Sequence, residues 1–250
     1  MHALVIAAPR EARIEDIPVP EPGPTEVRVR MEGCGICGSN LPVWEGRPWF
    51  DYPIEPGAPG HEGWGQIDAV GTEVTGLEAG TRVAVLSYHA FAEYDIASAA
   101  AVVPIPPALS SVPFPGEALG CAMNVLRRAC VQKGDLVAIV GIGFLGAVLT
   151  RLCVERGATV IAISRRKTAL ELARASGAWL TFDYDDGQKI VEEVGALSDG
   201  AFCDVVLEVT GKQGPLDLAT ELTRPRGRLV IAGYHQDGRR TVDMRLWNWR

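Results

Sequence analysis

The stretch that most constrains this chain is Asp135-Leu-Val-Ala-Ile-Val-Gly141-Ile-Gly143-Phe-Leu-Gly146. Val137 to Val140 is a short apolar run, as a parallel strand buried on both faces requires. The glycines then follow at the spacing G-x-G-x-x-G. The first permits a tight turn, the second lets backbone approach a pyrophosphate, and the third lets a helix pack against the strand. Leu145, Val148, Leu149 and Leu152 fall on one helical face, and Thr150, Arg151 and Glu155 fall elsewhere. Gly157 stops the helix, and Thr159 to Ile163 reads as the next strand. Strand, glycine turn, helix and strand in that order predict a dinucleotide-binding βαβ unit, with Gly141, Gly143, Phe144, Leu145 and Gly146 at the cofactor.

Elements continue to alternate downstream. Lys167 to Ser176 and Gln188 to Leu197 read as helices, and Leu180 to Phe182, Val205 to Val209 and Leu229 to Ala232 as strands. A helix over Gly120 to Val131 precedes them. Alternation of this kind predicts a doubly wound parallel sheet with ligands at the carboxyl ends of its strands. Thr210 and Gly211 leave one such end, either as cofactor contacts or simply as a strand cap. At the end of the second strand, an acidic residue would bind the ribose hydroxyls of NAD. Ser164-Arg165-Arg166 stands there instead. A hydroxyl and two guanidinium groups suit a 2′-phosphate, so NADP is expected, with NAD as the alternative. The plainer reading is two solvated arginines at a helix start.

Fifteen of the 17 prolines lie at or before Pro115, which places a domain junction near Gly116: residues 1–116, then 117–250. In the first part, Val27 to Met31, Gly65 to Val70, Arg82 to Leu86 and Phe91 to Ile96 are short strands broken by Pro and Gly, predicting a partly open β-barrel. Two of its loops carry metal-ligating residue types: Gly33-Cys34-Gly35-Ile36-Cys37-Gly38-Ser39-Asn40 and Gly57-Ala-Pro-Gly60-His61-Glu62-Gly63. Cysteine and histidine are the usual zinc ligands, with carboxylate as the common addition. No second C-x-x-C completes a four-cysteine site, and Cys34 reads as a small buried hydrophobe. Spacing alone leaves Cys37 and His61 open between ligands and core residues. His89 and His235 read as polar loop residues, with an approach of His235 to the cofactor held open.

A net charge of −7 argues against nucleic-acid and anionic-membrane partners. Six cysteines in 250 residues form no disulfide framework, so a reduced, cytoplasmic protein is expected. The N-terminus lacks the basic start of a signal peptide.

The order Gly-Cys-Gly-Ile-Cys-Gly-Ser-Asn, Pro-Gly-His-Glu-Gly, then a βαβ dinucleotide unit resembles the medium-chain dehydrogenase/reductase superfamily, and within it the zinc-dependent alcohol and polyol dehydrogenases. The resemblance covers essentially the whole chain. It implies a GroES-like catalytic domain joined to a Rossmann domain, with the site between them, and an enzyme passing a hydride between an alcohol or its carbonyl and NADP(H). It implies Cys37 and His61 as catalytic zinc ligands, Ser39 as the start of a proton relay, and Glu62 as a carboxylate beside the metal. Gly116-Glu117-Ala118-Leu119 resembles the Glu-Pro-Leu motif of the polyol branch, which implies Glu117 as the remaining ligand. Three departures stand out. Asn40 replaces the aspartate that orients the zinc histidine, and its amide oxygen is expected to accept from the imidazole instead. Pro42 stands where some relatives carry a relay histidine, and Ala118 replaces the motif proline. The four-cysteine lobe is absent, so one catalytic zinc and no structural zinc are expected. Relatives continue into a sixth Rossmann strand. The expectation is therefore a C-terminally truncated fold, a fragment or a natural short form that is weakly active or aggregation-prone alone, with homo-oligomers possible. The rival readings are a zinc-free quinone or enone reductase of the same superfamily and a non-catalytic dinucleotide-binding protein.

Overall fold

The structure is a computed structural model that describes residues 1–249. The chain divides into two compact units, Met1–Gly120 and Cys121–Arg250.

The first unit begins with a hairpin of β1 (His2–Ala8) and β2 (Glu11–Asp16), which the sequence pattern did not reveal. The next elements are β3 (Glu26–Gly35), α1 (Asn40–Glu45), β4 (Glu62–Val70), β5 (Arg82–Val85), β6 (Tyr94–Ser98) and β7 (Val102–Pro104). Its five-stranded antiparallel sheet has the order β6-β3-β4-β5-β7 and curls into the half-barrel of a GroES-like domain. Period-two patterning puts Val27 and Val29 of β3 inside, where they pack with Ile67, Val83, Val85, Ala97 and Val102. Arg28 and Arg30 on the same strand face away and bond Asp68 and Gln66 of β4.

The division between the units falls within α2 (Gly116–Ala129). The second unit then alternates β8 (Leu136–Val140), α3 (Phe144–Glu155), β9 (Thr159–Ser164), α4 (Lys167–Ala175), β10 (Leu180–Asp183), α5 (Gly187–Leu197), β11 (Cys203–Glu208), α6 (Gln213–Leu222), β12 (Thr223–Ile231) and α7 (Met244–Trp249). All pairings in its sheet are parallel, in the order β10-β9-β8-β11-β12, which is the Rossmann arrangement expected from the alternation. Successive residues of each strand serve opposite layers. Val137, Ile139, Val160, Ala162, Val205 and Leu207 pack under α2, α3 and α4. Ala138, Val140, Ile161, Ile163 and Val206 pack under α5 and α6. Burial on both faces explains why these strands read as unbroken apolar runs. The order reverses at β8 and β11, and a ligand crevice opens at such a switch point.

Cys153 and Cys203 are fully buried in these two layers, and burial pushes each thiol up to about 12. Cys121 and Cys130 are exposed. At pH 8, iodoacetamide should therefore alkylate Cys121 and Cys130 in the folded protein, and Cys153 and Cys203 only after denaturant is added, as read by peptide mass spectrometry. Equal labelling of all four in the folded chain would contradict this packing.

Candidate functional site

The candidate metal centre is assembled by strand register. β3 and β4 pair so that Gly35, the last residue of β3, lies opposite Glu62, the first of β4. Cys37, two residues beyond β3, and His61, one residue before β4, are thereby brought together. One ligand atom each from Cys37, His61 and Glu62 lies within 4.8 Å of the others. The close pairing needs glycine, because a Cβ on Gly35 would stand 2.0 Å from Glu62 Oε2.

Hydrogen bonds fix the ligand loops. His61 Nδ1 is 2.8 Å from the carbonyl oxygen of Pro59. A carbonyl only accepts, so Nδ1 carries the hydrogen and Nε2 presents its lone pair to the cluster. Asn40 does not reach the imidazole, contrary to the expectation from sequence. Its Oδ1 accepts from the Cys37 N–H at 2.8 Å, and its Nδ2 donates to the same Pro59 carbonyl at 3.0 Å. Asn40 thus ties the two ligand loops together and orients His61 through Pro59. The turn from Gly57 to Gly60 is also held from behind by backbone bonds of Phe91 to Gly57 and Ala90 to Gly60, each 3.0 Å.

Ser39 precedes α1 without using its side chain as a cap, and its Oγ lies 3.5 Å from His61 Nε2. Glu62 is buried, which raises its pKa. A hydrogen bond with Cys37 and the nearby His61 pull it down, and the charge of Glu117 pushes it further up. Glu117 in the first turn of α2 is thus within electrostatic reach of the cluster, yet outside the group of three. Cys34 is half-buried rather than fully buried as expected; it donates to the Gly35 carbonyl at 3.3 Å, and partial burial raises its thiol to about 11.

A thiolate, an imidazole and a carboxylate make up a zinc donor set. Zinc bonds of about 2.0 to 2.3 Å place tetrahedral donors about 3.3 to 3.8 Å apart. Donor atoms of these three types, already within 4.8 Å of one another, form a set that fits the ion.

The second unit holds a cleft of about 350 Å³ at the carboxyl ends of its strands. Gly141, Ile142 and Gly143 form its floor, Ser164, Arg165 and Arg166 one wall, and Thr210 and Lys212 another. The glycines divide the work as their spacing predicts. Gly141 has φ +108°, a Cβ on Gly146 would stand 2.1 Å from the Gly141 carbonyl oxygen, and a Cβ on Gly143 would meet only Arg166 Nη2, at 4.0 Å. Phe144 and Leu145 begin α3, where backbone N–H groups point outward and favour an anion.

The two arginines differ. Arg166 Nη2 donates to the Ile142 carbonyl at 2.9 Å, and its backbone N–H to Ser164 Oγ at 3.3 Å, so it straps the glycine turn. Arg165 is exposed, and its guanidinium has no hydrogen bond or ion pair among the described residues. Lys212 and Tyr184 also line the cleft, and sequence reasoning passed over both. Lys212 pairs with Asp237, which Arg240 and Lys212 together hold well below the usual carboxylate range.

Two family models match in chain order: the alcohol dehydrogenase GroES-like domain over residues 23–107 and the zinc-binding dehydrogenase domain over residues 145–247. The chain is 29% identical to human sorbitol dehydrogenase over 92% of its length and 74% of that protein. It is 30% identical to an alcohol dehydrogenase of a Moraxella species over 88% of its length and 73% of that protein. Among solved structures, galactitol-1-phosphate dehydrogenase from Escherichia coli superposes with a TM-score of 0.84 at 26% identity, covering 99% of this chain and 79% of that one. A quinone oxidoreductase from Pseudomonas syringae superposes with a TM-score of 0.82 at 26% identity, covering 99% and 78%. With both domain models matched in order and this identity running through most of each relative, the chain belongs to the zinc-dependent branch of the medium-chain dehydrogenase/reductase superfamily and is an alcohol dehydrogenase-like oxidoreductase.

Proposed function

We propose that the chain is a zinc-dependent alcohol or polyol dehydrogenase that uses NADP(H) and carries one catalytic zinc. The observation that carries this reading is the Cys37–His61–Glu62 cluster with its histidine fixed in the metal-binding tautomer. A zinc-free quinone or enone reductase has no use for a thiolate, an imidazole lone pair and a buried carboxylate turned toward one point.

Cys37, His61 and Glu62 would hold the ion, with Glu117 as the further carboxylate within electrostatic reach. A zinc ion bound there supplies Lewis-acid stabilisation of negative charge on the substrate oxygen. The protein does the rest. Asn40 and Pro59 hold the ligand loops at fixed separation and prevent the imidazole from rotating. Ser39 Oγ, uncommitted as a helix cap, is placed to take the substrate hydroxyl proton. In the second unit, the Gly141–Gly146 turn and the start of α3 would receive the pyrophosphate. Thr210 would line the same cleft, whereas Gly211 is buried behind it with its N–H held by Glu208 and supports the wall instead of touching the cofactor. Arg165 supports NADP, since its unpaired guanidinium stands at the end of β9 where a carboxylate would otherwise select NAD.

Loading with zinc should give a stoichiometry near one per chain, and Cys37→Ser should lower it to near zero in a dialysed sample measured by atomic emission. Wild-type protein that retains no zinc would refute the metal assignment. Asn40→Ala leaves every ligand in place and removes the tie between their loops. It should weaken zinc about 10- to 100-fold in a chelator competition, the range seen when an outer-shell partner of a metal ligand is lost. Arg165→Ala should weaken NADPH by about one to two orders of magnitude, the worth of a charge-assisted hydrogen bond, and leave NADH nearly unchanged in a fluorescence titration. A wild-type preference for NADH would return Arg165 to the surface.

A further inference from the structure

One buried charge in the second unit is used by neither site. Glu208, the last residue of β11, is fully buried. Its Oε1 accepts from the backbone N–H of Thr210 at 2.7 Å, from that of Gly211 at 2.9 Å, and from the Thr210 hydroxyl. Its Oε2 lies 2.9 Å from His235 Nε2. On the other side of the ring, Arg240 Nε lies 2.8 Å from His235 Nδ1. Arg240 also donates to the Gly211 carbonyl at 2.6 Å and pairs with Asp237, which in turn pairs with Lys212 of the cleft wall.

The polarity of this chain runs one way. A guanidinium only donates, so His235 Nδ1 must accept and bears no hydrogen. The neutral ring then carries its hydrogen on Nε2 and donates it to Glu208. Every bond at the carboxylate arrives from a donor, so none of its partners asks it to give a hydrogen back. A carboxylate meets that demand and an amide does not.

We propose that Glu208 and His235 are positioning residues for the dinucleotide cleft. Arg240 fixes the ring tautomer, the ring and the carboxylate fix the Thr210–Lys212 wall, and that wall sets dinucleotide affinity. This rests on the reading that the cleft takes a dinucleotide. The proposal distinguishes polarity from packing. Glu208→Gln keeps the shape and introduces an NH₂ group. That group must face either the Thr210 and Gly211 N–H groups or the His235 N–H, donor against donor. The ring cannot relieve the clash by moving its hydrogen to Nδ1 while Arg240 occupies that side. With Arg240→Met the ring is free to change tautomer and accept from the amide. The same Glu208→Gln change should therefore cost less when Arg240 is absent.

The test is a double-mutant cycle in the full chain, reading NADPH and NADH dissociation constants by nicotinamide fluorescence, with melting temperatures recorded in parallel. Glu208→Gln alone should weaken binding about tenfold or more, as a buried unpaired donor does, and about threefold or less in the Arg240→Met background. In the wild-type chain, ¹⁵N NMR should show His235 protonated at Nε2 and bare at Nδ1. Equal cost of Glu208→Gln in both backgrounds, with wild-type binding intact, overturns the proposal alone. A wild-type chain that binds neither dinucleotide overturns the cleft reading and the proposal with it. If Glu208→Gln does not fold, the NMR spectrum decides: a hydrogen on Nδ1 overturns the proposal, and a bare Nδ1 upholds it.

Discussion

The carbonyl oxygen of Pro59 is the pivot of the first unit's chemistry. It accepts from the His61 ring and from the Asn40 side chain, and Asn40 in turn holds the Cys37 backbone. Without this acceptor, the imidazole would lose both its tautomer and its orientation, and the two ligand loops would lose their tie. The partner of the His61 ring is a neutral carbonyl and not a carboxylate, so its part in the site is to fix geometry. The charge comes from Cys37 and Glu62, brought together because β3 ends where β4 begins.

The second unit solves a different problem, the placing of polar backbone around an anion. Its strands are buried on both faces, so their carboxyl ends and the helix N-termini are where polar groups can gather. The glycine turn offers N–H groups on one side of the cleft. On the other, Glu208 gathers the N–H groups of Thr210 and Gly211 to itself and so gives the opposite wall a fixed shape. Arg166 does the matching task at the turn by holding the Ile142 carbonyl. That leaves Arg165 as the guanidinium available to a ligand.

Much of this was legible in the sequence because periodicity and glycine spacing report directly on burial and backbone geometry. The βαβ unit, the parallel sheet and the antiparallel strands carrying Val27 and Val29 follow from those signals. The hairpin of β1 and β2 did not, since five of the six residues of β2 are exposed and no period-two apolar pattern marks it. The helix α6 was passed over as well, although Leu216, Leu218, Ala219 and Leu222 are buried. Cys37, His61 and Glu62 were found through motif order, because a site built from separate loops has no spacing signature. The roles of Asn40 and Pro59 depend on which atoms meet across those loops, and no pattern along the chain encodes that. Glu208 did leave a trace, a lone acid in the apolar run Val205-Val-Leu-Glu-Val. A charge in a strand buried on both faces demands partners, and His235 and Arg240 supply them from the loop after β12.

One metal held by Cys37, His61 and Glu62 would have a single sulfur among nitrogen and oxygen donors. X-ray absorption spectroscopy at the zinc edge of the loaded protein reads that donor set. One Zn–S scatterer at about 2.3 Å is expected, with the remaining ligands being N and O at about 2.0 to 2.2 Å. A spectrum with no sulfur, or one with two from Cys34 and Cys37 together, would contradict it.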